Sequence, residues 1–208
     1  DIKMKCQVQT DSDLFNNFVI YPFEHIEFPV KYSKPIKSFL NSYLKFSLLS
    51  AQLDHYNTTI FSKSNNNVLT YLNTLNTALY NDIENIIRLE GPPQASHTTF
   101  TSRKGACRDK AFLFMHLCRS KGLACRFTSG YFLDTQGSTS QKDLHAWVEV
   151  YLDGAGWIGF DPTCGLQVTP THVPICTSSV ADLCMPVNGS YIGEGLSKLE
   201  SHIDIQLI

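Results

Sequence analysis

The chain has 208 residues, 43% hydrophobic and 17% charged, which is enough apolar surface to offset the entropy of ordering a compact unit and excludes intrinsic disorder. A formal net charge of −2 without any Lys/Arg run argues against nucleic acid or anionic lipid as the partner. No stretch approaches the roughly 18 to 20 consecutive apolar residues that cross a bilayer, so no membrane span is expected.

Asp1 to Thr10 alternate polar and apolar, without the basic-then-apolar order of a signal peptide. Seven cysteines (Cys6, Cys107, Cys118, Cys125, Cys164, Cys176 and Cys184) form an odd set without the dense spacing of a disulfide scaffold, so a reducing, cytoplasmic setting is expected. The alternation predicts strands over 3–10 and 18–32, with Asp13-Leu14-Phe15-Asn16-Asn17 as the turn between them. Residues 1–35 are thus expected to form a β-rich N-terminal region, and 36–208 the main domain.

After Pro35, the residues Ile36, Phe39, Leu40, Tyr43 and Leu44 recur at helical spacing. Residues 57–67, rich in Thr, Ser and Asn, read as a loop. Val68, Leu72, Leu75, Leu79, Ile83 and Ile86 then make one apolar stripe, predicting a helix over 68–89 that Gly91-Pro92-Pro93 stops. A loop is expected from there to Gly105. From Cys107 to about Lys121, Ala111, Phe112, Met115 and Cys118 share a helical face that Leu113 and Leu117 widen, and Gly122 marks the stop. Strands are predicted at 123–133, 144–152 and 157–161, separated by Gly/Ser-rich or Asp-Gly turns, with a last one over 201–208. Helices followed by an antiparallel sheet make an α+β fold.

Three residues in this order point to chemistry. Cys107 lies in the first turn of its helix, where free N–H groups and the helix dipole favour negative charge, and the thiolate is the nucleophilic form of cysteine. An inert core cysteine is the bland alternative. In 144–152 the period of two puts His145, Trp147, Glu149 and Tyr151 on the less apolar face of a strand. The next strand ends at Asp161, since Pro162 cannot donate to a ladder, and the short turn between the two makes them hairpin neighbours. Asp161 then reaches His145, holding its tautomer while the other ring nitrogen faces a thiol, as in Cys-His-Asp catalysis. Trp147 is a candidate for the cleft wall.

The blocks Gly105-Ala106-Cys107-Arg108-Asp109-Lys110-Ala111, Leu144-His145-Ala146-Trp147-Val148-Glu149-Val150-Tyr151 and Gly156-Trp157-Ile158-Gly159-Phe160-Asp161-Pro162-Thr163 resemble those of the transglutaminase-like superfamily, its bacterial branch above all. The likeness spans about 86–173 and takes in His172-Val173. It implies a papain-like α+β core with Cys107 as nucleophile, His145 as general base and acid, and Asp161 as orienting group. It also implies that Asp13-Leu14-Phe15-Asn16-Asn17 belongs to a β-rich N-terminal region often attached to this core. Two departures stand out: Thr177-Ser178-Ser179 where that branch commonly has Gly-Arg-Asp, and Lys110 in place of a bulky apolar neighbour of the nucleophile.

The implied reaction is attack of the thiolate on an amide carbonyl of a peptide or protein substrate, with no cofactor or metal. The Cys107 N–H serves once as oxyanion donor, and Gln94 is a candidate for the second contact to substrate. Peptidase or amidase activity is the expectation, with transglutaminase or a non-catalytic peptide-binding domain as alternatives. Structural zinc is disfavoured: there is no Cys-x-x-Cys, and Cys164, Cys176 and Cys184 are separated by 11 and 7 residues. Glu149 and Asp153 do not make a two-carboxylate site, because Asp153 falls in a turn. Nothing in the sequence fixes the oligomeric state.

Overall fold

Helices come first along the chain and the sheet follows, in a computed structural model that describes residues 5–10, 17–88, 90–133, 144–185, 192–193 and 203. The helices are α1 (Lys34–Leu40), α2 (Ala51–Ser62), α3 (Val68–Asp82), α4 (Ser96–Ser102) and α5 (Cys107–Ser120). Two-residue strands β1 (Glu84–Asn85) and β2 (Lys104–Gly105) pair in parallel just ahead of α5. Strands β3 (Cys125–Phe132), β4 (Leu144–Leu152), β5 (Gly156–Asp161), β6 (Leu166–Gln167) and β7 (His172–Ser178) form one antiparallel sheet in the order β6-β5-β4-β3-β7. The α+β expectation holds. No helix among the described residues is long and apolar enough to cross a membrane.

Helix α5 is the centre of the packing. Ala111, Leu113, Phe114, Met115, Leu117 and Cys118 are all buried, and Ala146, Val148 and Val150 of β4 belong to the same core. Phe114 stacks on Phe160 of β5 with ring centroids 5.8 Å apart. The sequence put Phe112 in the buried stripe; it is only partly buried, and Phe114 fills the core position instead. A helix covered on most sides has no single apolar face, so a one-stripe reading misassigns its margins.

The expected strand over 18–32 is replaced by a 3-10 turn (Phe23–Ile26) and one isolated bridge, Glu27 to Asn67. Pro22 and Pro29 interrupt the run, and proline donates no ladder hydrogen bond. Residues 5–10 are exposed and form no strand; alternation does not make one without a surface to cover. The turn expected over 13–17 lies outside the described residues except for Asn17, as does the 201–208 strand except for position 203. The 17–32 segment docks on the β4–β5 turn, where Tyr21 N–H donates to Asp153 O at 3.0 Å and His25 Nδ1 lies 2.8 Å from Asp153 Oδ2.

Residues 57–62, read as loop, belong to α2, which Ser50 caps by accepting from Leu53 N–H. Its buried face consists of Leu53, Asn57 and Ile60, and the asparagine interrupts the apolar period. Helix α3 ends at Asp82 rather than near 89, because Ile83 turns extended and Glu84–Asn85 pair with β2. Short α4 escaped notice because Ser-His-Thr-Thr has weak helix propensity. Strand β7 did so because Pro174 and a bulge at Ser129/Gly130 break its period; both are tolerated at the sheet edge that β7 forms.

Candidate active site

The entry to α5 is built by Asp109, two residues after Cys107. Its carboxylate accepts from the Ala106 N–H at 2.9 Å, half of a capping box, since Ala106 has no side-chain oxygen to complete the other half. Asp109 is fully buried and also accepts from Arg88 (Nη2 2.7 Å, Nε 3.3 Å) and from the Gln94 main-chain N–H at 2.8 Å. Thus one carboxylate fixes the helix start and clamps the preceding loop to it. Gly105, just upstream, has no room for a Cβ, which would lie 2.9 Å from Thr99 and 3.1 Å from Asp109. Cys107 is left half-exposed in the first helical turn, where the helix offers its N–H no internal acceptor.

His145 enters from β4, opposite Gly130 of β3. A Cβ at Gly130 would collide with the Val173 carbonyl and come within 2.8 Å of Trp147, so only glycine lets the strands and the indole close up behind the histidine. The β4–β5 register pairs Val148 with Phe160, so Asp161, one step on, falls on the face that carries His145 and Trp147. His145 Nε2 lies 2.6 Å from Asp161 Oδ2, and both side chains are buried. With Nε2 so engaged, the other ring nitrogen remains for sulfur; α5, which begins at Cys107, packs against β4, and the Cys107 and Cys164 thiols both favour the charged form of this imidazole. The structure thus pairs His145 with Asp161 and sets the first turn of α5, with Cys107, on the helix packed against β4.

Asp161 Oδ1 accepts main-chain N–H groups from Thr163 at 2.8 Å and Cys164 at 3.4 Å. Burial disfavours the Asp161 carboxylate, but His145 and His172 outweigh it and hold the carboxyl far below the usual range. Burial likewise opposes charge on His145, yet the neighbouring carboxylate and its hydrogen bond push that imidazole well above its ordinary value. The two shifts favour an imidazolium paired with a carboxylate.

Trp147 lies behind the histidines, and Gln94 lies on the loop that Asp109 clamps. Trp147 is 0% exposed and backs the histidines, its ring meeting that of His172 edge-on at 5.3 Å and sitting 6.2 Å from that of His145, while it also borders a cavity of about 270 Å³ with Glu149, Trp157 and Val168. It is buried because the sheet face it occupies is covered, which the alternation alone did not reveal. Gln94 is half-buried and enters through its main chain, on Asp109.

Three residues at the site were not singled out as functional. His172 lies 3.2 Å from the same Asp161 oxygen as His145. Cys164, in the turn after β5, has its thiol pushed up by burial while His145 opposes the shift. Lys110 is 1% exposed, with its ammonium 5.9 Å from the Tyr80 ring centre; burial lowers its pKa against the pull of Asp161, Cys164 and Cys107. The only signals in the sequence were the His172-Val173 pair and the departure at Lys110. His145, Asp161 and His172 present ligand-type atoms within 4.8 Å of one another, but the carboxylate oxygen stands at hydrogen-bond distance from two ring nitrogens. A groove of about 560 Å³ runs along the outer side of α5 beside Phe46, Leu48, Pro93, His97, Phe112 and His116; Cys107 does not line it.

Known proteins are similar to this chain in sequence and fold. An uncharacterized protein of Mycobacterium leprae is 28% identical over 106 residues, 49% of this chain and 37% of its own length. A protein-glutamine gamma-glutamyltransferase of Pseudomonas aeruginosa is 34% identical over 80 residues, 36% of this chain and 12% of its own. A crystal structure from Cytophaga hutchinsonii, provisionally described as a cysteine protease, superimposes with a TM-score of 0.57 at 26% identity, covering 79% of this chain and 54% of that one. The chain therefore spans only about a third or less of the curated relatives it matches and about half of that structure. The model of the Transglutaminase-like superfamily matches residues 55–162, more than half the chain, from α2 through α5 to the end of β5. By sequence and by fold, the chain belongs to the transglutaminase-like superfamily.

Proposed function

We propose that the chain is a cysteine-dependent amidase or peptidase acting on peptide or protein amides. The observation that carries this reading is the His145–Asp161 pair, at 2.6 Å, on strands against which α5 packs with Cys107 in its first turn. The Cys107 thiolate adds to the amide carbonyl carbon, and the resulting oxyanion takes the Cys107 N–H as one donor. The C–N bond breaks as His145, protonated, gives its proton to the departing amine, leaving a thioester on Cys107. His145 then takes a proton from water, hydroxide adds to the thioester carbonyl, and the C–S bond breaks to return the thiolate and release a carboxylic acid. Asp161 keeps one tautomer and one orientation of the ring throughout.

An amine in place of water in the second half would make the chain a transglutaminase, a reading that the Pseudomonas aeruginosa relative favours by its name. Mass spectrometry of a glutamine-containing peptide, incubated with and without a primary amine, separates the two. Hydrolysis gives fragments or deamidation regardless of amine, whereas transfer gives an adduct of the amine's added mass less ammonia. No product in either case, with Cys107 alkylated by iodoacetamide no faster than the other thiols, overturns both and leaves a peptide-binding domain.

A further inference from the structure

His172 opens β7, 3% exposed, stacked on Phe132 with ring centroids 4.3 Å apart and edge-on to Trp147. Its Nδ1 lies 3.1 Å from the Thr169 main-chain nitrogen. A main-chain N–H is only ever a donor, so Nδ1 must accept and carries no hydrogen. The ring proton therefore sits on Nε2, and Nε2 lies 3.2 Å from Asp161 Oδ2. Thr169 Oγ1, also 3.1 Å from Nδ1 and 2.8 Å from Thr171 Oγ1, closes the bracket on the far side of the ring.

We infer that His172 is a positioning residue: as a fixed Nε2–H donor it locks the Asp161 carboxylate in the one rotation that keeps Oδ2 on His145. The inference rests on the proposed catalytic roles of Cys107, His145 and Asp161. Asp161 then has four donors, two imidazole N–H groups on Oδ2 and two main-chain N–H groups on Oδ1. A carboxylate held only by the main chain on one oxygen can still swing its other oxygen; a second imidazole on that oxygen removes this freedom. The Thr169–Thr171 turn is what makes the lock one-directional, because it dictates which ring nitrogen bears the proton. The titratable groups packed against His172 are Asp161 and, ring centres 6.0 Å apart, His145.

The test compares His172→Phe, which keeps the ring and loses the donor, with His172→Gln, whose amide NH₂ reaches the Nε2 position. The readout is the rate of Cys107 alkylation by iodoacetamide, with His145→Ala as reference. Phe should slow alkylation about 10- to 100-fold, and Gln should recover to within a few-fold of the parent. A rate unchanged by Phe but slowed in His145→Ala overturns this inference alone; a rate unchanged in His145→Ala overturns the catalytic reading and the inference with it. Equal losses from Phe and Gln reduce His172 to packing. If neither variant folds, ¹⁵N spectra of the parent decide: a bare Nδ1 and a protonated Nε2 at His172 are expected, and the opposite tautomer overturns the inference.

Discussion

The two ends of α5 hold a cysteine each, and their surroundings differ in almost every respect. Cys107, in the first turn, is half-exposed, on a helix packed against the strand whose His145 imidazole a buried carboxylate pushes toward its charged form. Cys118, near the last turn, is fully buried beside Cys125 and Tyr71, and burial pushes its thiol well above the ordinary range, with Cys125 adding to the effect. Around it the polar atoms are spent on holding the fold. Asn57 donates to Leu117 O at 3.0 Å, and Arg119 donates to Lys45 O, Cys125 O and Ser179 O. At the Cys107 end the hydrogen bonds fix the helix start and leave the sulfur half-exposed; at the Cys118 end they seal a core. The same residue type on one helix is thus set to opposite chemistries by where the helix begins and where it is covered.

The widest separation between the ends comes from removing each thiol. Cys107→Ala is expected to lower amide turnover by about 10³-fold or more, with the denaturation midpoint nearly unchanged. Cys118→Ala is expected to leave turnover intact and cost about 1 kcal/mol of stability. Turnover that survives Cys107→Ala would place the chemistry elsewhere.

Asp161→Asn comes next. It keeps the shape and removes the charge that raises the His145 value, so turnover should fall about 10³- to 10⁴-fold. The alkaline limb of the pH profile, which lies above about pH 6.5 in the parent because the imidazolium persists, should move to lower pH. The linkage signs follow from the two shifts. The raised His145 value contributes stability that is complete below about pH 6.5 and fades as pH rises through the folded value; the depressed Asp161 value contributes stability present above about pH 3.9 and lost as pH falls through it. A limb that stays in place in Asp161→Asn would show that the carboxylate does not govern the histidine.

Arg88→Ala leaves the buried Asp109 carboxylate with two main-chain donors and no cation. The expected cost is about 3 kcal/mol, read from urea unfolding. Because Asp109 caps the turn that carries Cys107, alkylation of Cys107 should lose its selectivity over the surface thiol Cys6. A stable variant with unchanged selectivity would detach the Asp109 clamp from the site.

The Cys107 end was far more legible in the sequence than the Cys118 end, for a physical reason. The chemistry proposed for Cys107, His145 and Asp161 needs particular residue types at strand and helix termini, and Gly105 and Pro162 punctuate those termini visibly. What was not legible depends on contacts distant along the chain. Helix α2 was missed because Asn57, buried by its bonds to Leu117 and Ser120, looks like a loop residue until its partners are known. His172 was visible only as half of a family pair, since its importance lies in a tautomer set by Thr169. Trp147 sits on the face expected for it, but the alternation could not say that this face is covered too.

The smallest effect expected is also the sharpest check on the independence of the two ends. Tyr71 hydroxyl donates to Asn57 Oδ1 at 2.8 Å and lies 3.3 Å from Leu117 O, which Asn57 Nδ2 also contacts. Tyr71→Phe removes one donor and leaves Asn57 Oδ1 buried and unpaired, while Leu117 O keeps the Asn57 amide. The cost should be about 1 kcal/mol, the low end for an orphaned buried acceptor. Cys118 and Cys107 are 11 residues apart on α5, or about 16 Å at 1.5 Å per residue, too far for a local loss of packing to move the Cys107 turn, which Asp109 holds by separate bonds. Turnover and the rate of Cys107 alkylation should therefore match the parent, while alkylation of Cys118 under mild urea should quicken. A parallel fall in turnover would mean that α5 transmits strain along its length and that its two ends are one unit.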